Sequence, residues 1–176
     1  MTRSHQMVIT LTASDRPGVI DQLAQVISQH EGNWLDASLA RLAGHFAGVV
    51  LVSIPESQEP SLCDGLRALE SQGIDARCTG ATPRPEAGGT LYHLELLGSD
   101  RPGIVSQLSE SLAEHGVNVE RLDTHREAGS MSGAPLFRAA AQLRLPDGLD
   151  GEQLIGELEG LAADLQVTVQ AAKDPG

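Results

Sequence analysis

Apolar and polar side chains alternate through "MVITLTA" (residues 7–13), the period of a strand with one buried face. The following "PGVIDQLAQVISQH" instead repeats every three to four residues, placing Val19, Ile20, Leu23, Val26 and Ile27 on one helical stripe. Two strands, "NWLDASLARLAG" and "FAGVVLVSIP", are predicted next, meeting at Gly44. A second helix, "EPSLCDGLRALESQG", is expected to stop near Gly73 before a last strand, "IDARCTGA". The predicted order is βαββαβ.

The same order recurs. Ser14-Asp15-Arg16-Pro17-Gly18 reappears as Ser99-Asp100-Arg101-Pro102-Gly103, and at the same offset His30 falls on His115, Asn33 on Asn118, Arg41 on Arg126 and Gly44 on Gly129. A six-residue insertion, "SMSGAP", then shifts the register, so that Phe46 meets Phe137 and Ile54-Pro55 meets Leu145-Pro146. The second copy reads "LYHLELLG", "PGIVSQLSESLAEHG", "VNVERLDTHREAG", "LFRAAAQLRLP", "DGEQLIGELEGLAADL" and "QVTVQAA". Two domains, 1–80 and 91–176, are expected on either side of a Pro- and Gly-rich linker, 81–90. Each is expected to be α+β and ferredoxin-like, an antiparallel four-stranded sheet with both helices on one face. The bare face of such a sheet needs cover, which makes a homo-oligomer, a dimer or larger, the expectation.

Composition narrows the function. Residues 1–85 hold six basic and nine acidic side chains, residues 86–176 six and fifteen, and Lys173 is the only lysine. Phosphate neutralisation needs clustered cations, so direct binding to nucleic acid is not expected. Four aromatic residues in all, Trp34, Phe46, Tyr92 and Phe137, leave the cores to Leu, Val, Ile and Ala and offer no stacking platform for single strands. There is no apolar run long enough for a membrane span, and the first fifteen residues lack the apolar centre of a signal peptide, so a cytoplasmic protein is expected. Cys63 and Cys78 are then expected to be two packed thiols.

The repeated motif sits where the first strand turns into the first helix. Pro17 and Pro102 suit a first helical turn, where the missing N–H loses nothing, and Asp15 and Asp100 are placed to cap the free amides. Gly18 and Gly103 suggest close approach of another backbone or of a small ligand to a helix N-terminus, whose partial positive charge suits a carboxylate. The alternative, which a single copy by itself favours, is a well-made turn that starts a helix. Asn33 and Asn118 open the second strand of each copy, expected near the start of the first helix, and serve either a ligand's carboxylate or amine or the local turn backbone. His30 and His115 end the first helix in each copy and are read as caps of its negative end. "GSMSGAP" is either a hairpin connection or a docking element. No histidine pair has zinc-site spacing, and no GxSxG elbow, phosphate loop or strand-linked GxGxxG is present, so no metal, no catalytic residue and no nucleotide are expected.

The repeat, the βαββαβ order, the two DRPG loops followed by "VI" and "IV", and the stretches "NWLDASLARLAGHFAG" and "SGAPLF" resemble the tandem ACT-domain proteins, specifically the group of transcriptional repressors of the glycine cleavage system. The resemblance runs from Met7 to Ala171. It implies an amino-acid-responsive regulator, a transcriptional accessory repressor that engages a LysR-type activator rather than DNA, with glycine or a related small amino acid as effector. Carried over by position, it implies ligand contacts at Asp15, Arg16, Pro17, Gly18 and Asn33, and at Asp100, Arg101, Pro102, Gly103 and Asn118. In that family such ligands commonly lie at the interface of two domains, and a glycine-rich G-x-N step leads to the asparagine. "EGN" matches this step, whereas "GVN" is displaced by one residue.

The alternative within the same fold is a regulatory subunit that controls a metabolic enzyme in trans. DRPG-bearing ACT modules also precede hydrolase domains, as in formyltetrahydrofolate deformylase, but the residues after 171 are too few for one, and no enzyme is expected.

Overall fold

The computed structural model describes residues 3–82, 88–128, 135–161 and 164–172. The chain divides into two compact units, Met1–Pro83 and Arg84–Gly176. Unit 1 runs β1 (Ser4–Ser14), α1 (Val19–Gln29), β2 (Asn33–Leu42), β3 (His45–Pro55), α2 (Glu59–Ala68) and β4 (Ile74–Gly80), with single 3-10 turns at Glu56–Gln58 and Leu69–Gln72. Unit 2 repeats the order with β5 (Thr90–Ser99), α3 (Ile104–Glu114), β6 (Asn118–Ala128), β7 (Pro135–Leu145), α4 (Gly151–Glu159) and β8 (Gln166–Ala171).

Both sheets are antiparallel, with strand orders β2-β3-β1-β4 and β6-β7-β5-β8. The first strand of each unit is therefore central, and its alternation shows why. Met7, Ile9, Leu11 and Ala13 are buried against Val19, Leu23 and Ile27 of α1 and Leu62 and Leu66 of α2, while the intervening side chains point away from the helices. In unit 2, Leu94 and Leu96 meet Ile104, Leu108 and Leu112 of α3 and Leu154 and Leu158 of α4. Each such side chain contributes roughly 1.5–3 kcal/mol on burial. Ile20, assigned to the helical stripe by periodicity, is 49% exposed. The register also places the insertion as expected: Ser14 pairs with His45, and its counterpart Ser99 pairs with Leu136. "GSMSGAP" lies outside the described residues except for Pro135, which begins β7.

The helix starts differ from expectation. Gly18 and Gly103 are the N-caps of α1 and α3 with φ of 92° and 87°, no side chain caps either helix there, and Pro17 and Pro102 lie outside the helix. A Cβ on either glycine would meet nothing within 4 Å. Glycine is thus required by its left-handed backbone, and no other part of the described chain comes close to it. The turn before each asparagine is also left-handed, at Glu31 (φ 57°) and Gly116 (φ 66°), so "EGN" and "GVN" trace the same step.

Of the two histidines, His115 places Nδ1 2.8 Å from the Ser111 carbonyl in the last turn of α3, as a cap does. His30 instead lays its ring on α2, where a Cβ on Gly65 would come within 2.9 Å of His30 Nε2. Cys63 and Cys78 are a disulfide, not free thiols: α2 packs on β4 and brings their Cα atoms to 6.0 Å. Closing a loop of this length is worth about 3 kcal/mol in the chain-entropy account.

The sign of two backbone substitutions follows from these angles. Gly103→Ala forces a Cβ into the left-handed region and is expected to lower unfolding free energy by about 1 kcal/mol. Glu31→Gly relieves the same strain and is expected to raise it; urea titration of both variants checks the pair. In unit 2, Asp164 accepts the Ser99 amide at 3.0 Å, and hydrogen bonds from Ser99, with the Arg101 charge adding to them, hold its carboxyl below the usual carboxylate range. A depressed pKa means that this clamp is present above the ordinary carboxylate pKa and is lost as pH falls through the lowered value. Exchange of the Ser99 amide is therefore expected to show an acid-side rise that Asp164→Ala abolishes, measured by NMR between neutral and acid pH.

Candidate functional site

Each SDRPG motif forms a turn at the end of the central strand. The Asp15 amide donates to the Gly44 carbonyl at 2.8 Å, and the Asp100 amide to the Pro135 carbonyl at 3.0 Å, so both turns are pinned to the neighbouring hairpin. The Gln22 and Gln107 amides donate to the Gly18 and Gly103 carbonyls, each at 3.0 Å, which starts the helical ladder. The first amides of each helix precede that ladder and have no partner four residues back; in unit 2 the Ile104 amide closes instead on the Arg101 carbonyl at 3.4 Å.

Freed from capping, each aspartate faces an arginine of the next strand. Arg41 Nη1 lies 3.3 Å from Asp15 Oδ2, and Arg126 Nε lies 2.7 Å from Asp100 Oδ2. The arginines are 72% and 69% exposed and the aspartates 34% and 28%. Such open pairs contribute about 1 kcal/mol or less, so little is lost when a ligand separates them. The residues that sequence reasoning missed as site members are thus Arg41 and Arg126. Their signal was present, because the same offset that aligns the motifs aligns these two arginines.

In unit 1 the turn opens onto a surface cavity of about 510 Å³. Asp15 and Arg41 border it together with Asp21 in the first helical turn, while Ile20 and Phe46 supply an apolar rim. Val105 stands where Ile20 does and is 41% exposed, and Ser106 replaces Asp21, so the second turn has one carboxylate fewer. A cavity that offers a carboxylate, a guanidinium and free helix amides within one turn matches the two opposite charges of an amino-acid zwitterion.

Arg16 borders the cavity too, but its guanidinium is engaged elsewhere. Nη2 donates to Gln22 Oε1 and to the Gln72 carbonyl, each at 2.9 Å, and Gln22 Nε2 donates to Gln72 Oε1 at 2.9 Å. This network straps the turn to the segment before β4. Asp15, Arg16, Pro17 and Gly18 are therefore together at one cavity, with Arg16 serving as a brace.

Asn33 and Asn118 are not brought to these turns. Asn33 pairs across β3 at Ser53, which is level with Gln6 of β1, whereas the motif begins at Ser14. Asn118 is level with Leu91 through Arg144, against Ser99 for its own motif. At roughly 3.3 Å per residue each asparagine stands about 26 Å from the turn of its own unit. The expected proximity fails because α1 and α3 run back along the sheet and deliver the second strand to its far end. Asn33 is exposed there, and Asn118 Nδ2 is buried without a hydrogen-bond partner.

Among the described residues no group of three or more His, Cys, Asp or Glu side chains is placed to hold a metal ion. No helix among them is long and apolar enough to cross a membrane.

Comparison with known proteins extends this picture. The glycine cleavage system transcriptional repressor of Escherichia coli (strain K12) is 21% identical over 169 residues, which span 94% of this chain and 88% of that protein, and that of Shigella flexneri matches to the same extent. Two crystal structures share the fold over 97% of the chain. One is a protein of unknown function from Galdieria sulphuraria (TM-score 0.81, 22% identity, all of that chain covered), and the other is assigned provisionally as a glycine cleavage system transcriptional repressor (TM-score 0.70, 21% identity, 99% covered). The profile of the ACT domain matches twice, over residues 5–79 and 94–172, one match to each unit. Two ACT domains thus account for nearly all of the described structure, and the chain belongs to the ACT domain family.

Proposed function

We propose that the protein is an amino-acid-responsive regulator, a transcriptional accessory repressor of the glycine cleavage system that acts through a protein partner and catalyses no reaction. The observation that carries this reading is the motif built twice: each copy ends its central strand in the same left-handed turn and sets an aspartate against an arginine of the next strand. The relationship along 94% of the chain to a curated repressor supports the choice of process.

In this reading a small amino acid such as glycine separates the pair, its ammonium taken by Asp15 or Asp100 and its carboxylate by Arg41 or Arg126 and the first helix amides. Pro17, Gly18, Pro102 and Gly103 shape the turns, Arg16 braces the first, and Arg101 is the matching ligand contact of the second. Asn33 and Asn118 lie about 26 Å along their own sheets from the turn of the same unit and do not reach a ligand held by that turn. The effector biases contact with a LysR-type activator only as far as it binds one conformation more tightly than another, a coupling of about 1–3 kcal/mol in typical cases. The acidic composition favours a protein partner over DNA, the exposed strand residues Val49, Val119 and Leu122 favour a homo-oligomer, and a cytoplasmic location belongs to the same reading.

Calorimetric titration with glycine, serine, alanine and the branched amino acids tests the site. Saturable binding of one of them is expected, with loss in the Asp15→Ala, Asp100→Ala double variant. Replacing both arginines, Arg41→Gln and Arg126→Gln, removes charge-assisted hydrogen bonds and is expected to weaken binding by about tenfold or more. Absence of binding to all of them overturns the effector role. Capture experiments with the ligand present are expected to enrich a DNA-bound activator, whereas enrichment of a metabolic enzyme overturns the transcriptional reading.

A further inference from the structure

The two units close the seam between their second helix and last strand with different chemistry. Cys63 follows the buried Leu62 on α2, and Ile155 follows the equivalent buried Leu154 on α4. Cys78 pairs with Ile9 of β1, and Val169 pairs with Leu94 at the matching place on β5. All four side chains are half-buried and packed on the core of their own unit. Unit 2 shows that two aliphatic residues suffice here, so the fold itself does not require sulfur.

The disulfide of unit 1 also borders open space. Cys63 and Cys78 line a surface cavity of about 470 Å³ between α2 and β4, whose charged rim is balanced, Arg67 and Arg77 against Glu70 and Asp75. That volume lies within the range of small-molecule sites. The chain enclosed by the bond, residues 64–77, contains Gln72, whose carbonyl and side-chain oxygens anchor Arg16 and Gln22 of the SDRPG turn and α1. The disulfide therefore tethers the segment that braces the turn.

We propose that Cys63 and Cys78 form a reversible thiol–disulfide couple that exchanges with a small-molecule thiol of the glutathione class and sets the mobility of β4 and of the Ser14–Gly18 turn. A thiolate attacks one Sγ, the S–S bond breaks, and the other Sγ leaves as a thiolate that takes up a proton. A second thiolate then attacks the mixed disulfide, releasing the oxidised small molecule and the second cysteine. Two small thiols are oxidised as the protein disulfide is reduced, and the oxidised small molecule drives the reverse reaction. The couple stands whether or not the turn binds an amino acid.

The test equilibrates the full chain in buffers from purely oxidised to millimolar reduced glutathione, traps free thiols with a maleimide, and counts adducts by mass spectrometry. The expected result is two adducts in the reducing buffers, none in the oxidising ones, and return of the bond on re-oxidation. A bond that survives millimolar reduced glutathione and opens only to a stronger dithiol overturns the proposal, as do thiols that stay free in oxidised glutathione. Hydrogen exchange on the same samples is expected to quicken by about tenfold in β4 and in residues 14–22 on reduction, with α3 and β6 unchanged. Equal rates in the two states overturn the link to the turn. The Cys63→Ile, Cys78→Val variant, which borrows the pair of unit 2, is expected to fold and to exchange identically in both buffers; a remaining redox dependence overturns the assignment to these cysteines.

Discussion

Everything in each unit is referred to one buried strand face. β1 has a hydrogen-bonded neighbour on both sides, and its inner residues Met7, Ile9, Leu11 and Ala13 lie under both helices. A slip of one residue turns that whole set toward solvent, so burial locks the register. With the register locked, the strand ends at Ser14, and the turn that follows emerges at one defined corner of the sheet, level with the β2–β3 hairpin. The candidate site is the outcome of that corner: a backbone tie from Asp15 to Gly44, a left-handed glycine, and an arginine arriving from β2.

The two copies keep the scaffold and vary its fittings. Both retain the left-handed glycine and the Asp–Arg pair, features set by backbone geometry and by charge. They differ at Asp21 against Ser106, at the Cys63–Cys78 bond against Ile155 and Val169, and in the brace of the turn. In unit 1 that brace is Arg16 on Gln72, and in unit 2 Asp164 holds Ser99. Different side chains thus hold the same turn without a change of fold.

The order of elements, the duplication, the six-residue shift and the one-sided cores were legible in the sequence because they rest on local period and on self-similarity. Alternation at residues 7–13 and the helical spacing of Val19, Leu23 and Ile27 report which face is buried, and burial at those positions is what the structure shows. The DRPG turns were legible as turns, though not in their mechanism. Pro17 and Asp15 read as a helix start, yet the positive φ of Gly18 begins α1 after them and leaves the aspartate free.

What only the tertiary structure decided is which distant residues meet. Asp15 and Arg41 are 26 residues apart along the chain and meet across the sheet, whereas Asn33, nearer in sequence, is carried away along the length of α1. Cys63 and Cys78 became a bond because α2 lies on β4, a packing that no local pattern of theirs expresses. Local period depends on the side chains within a few turns of one another and is written in order along the chain. Ion pairs, braces and disulfides depend on register and helix direction, which exist only once the sheet has formed.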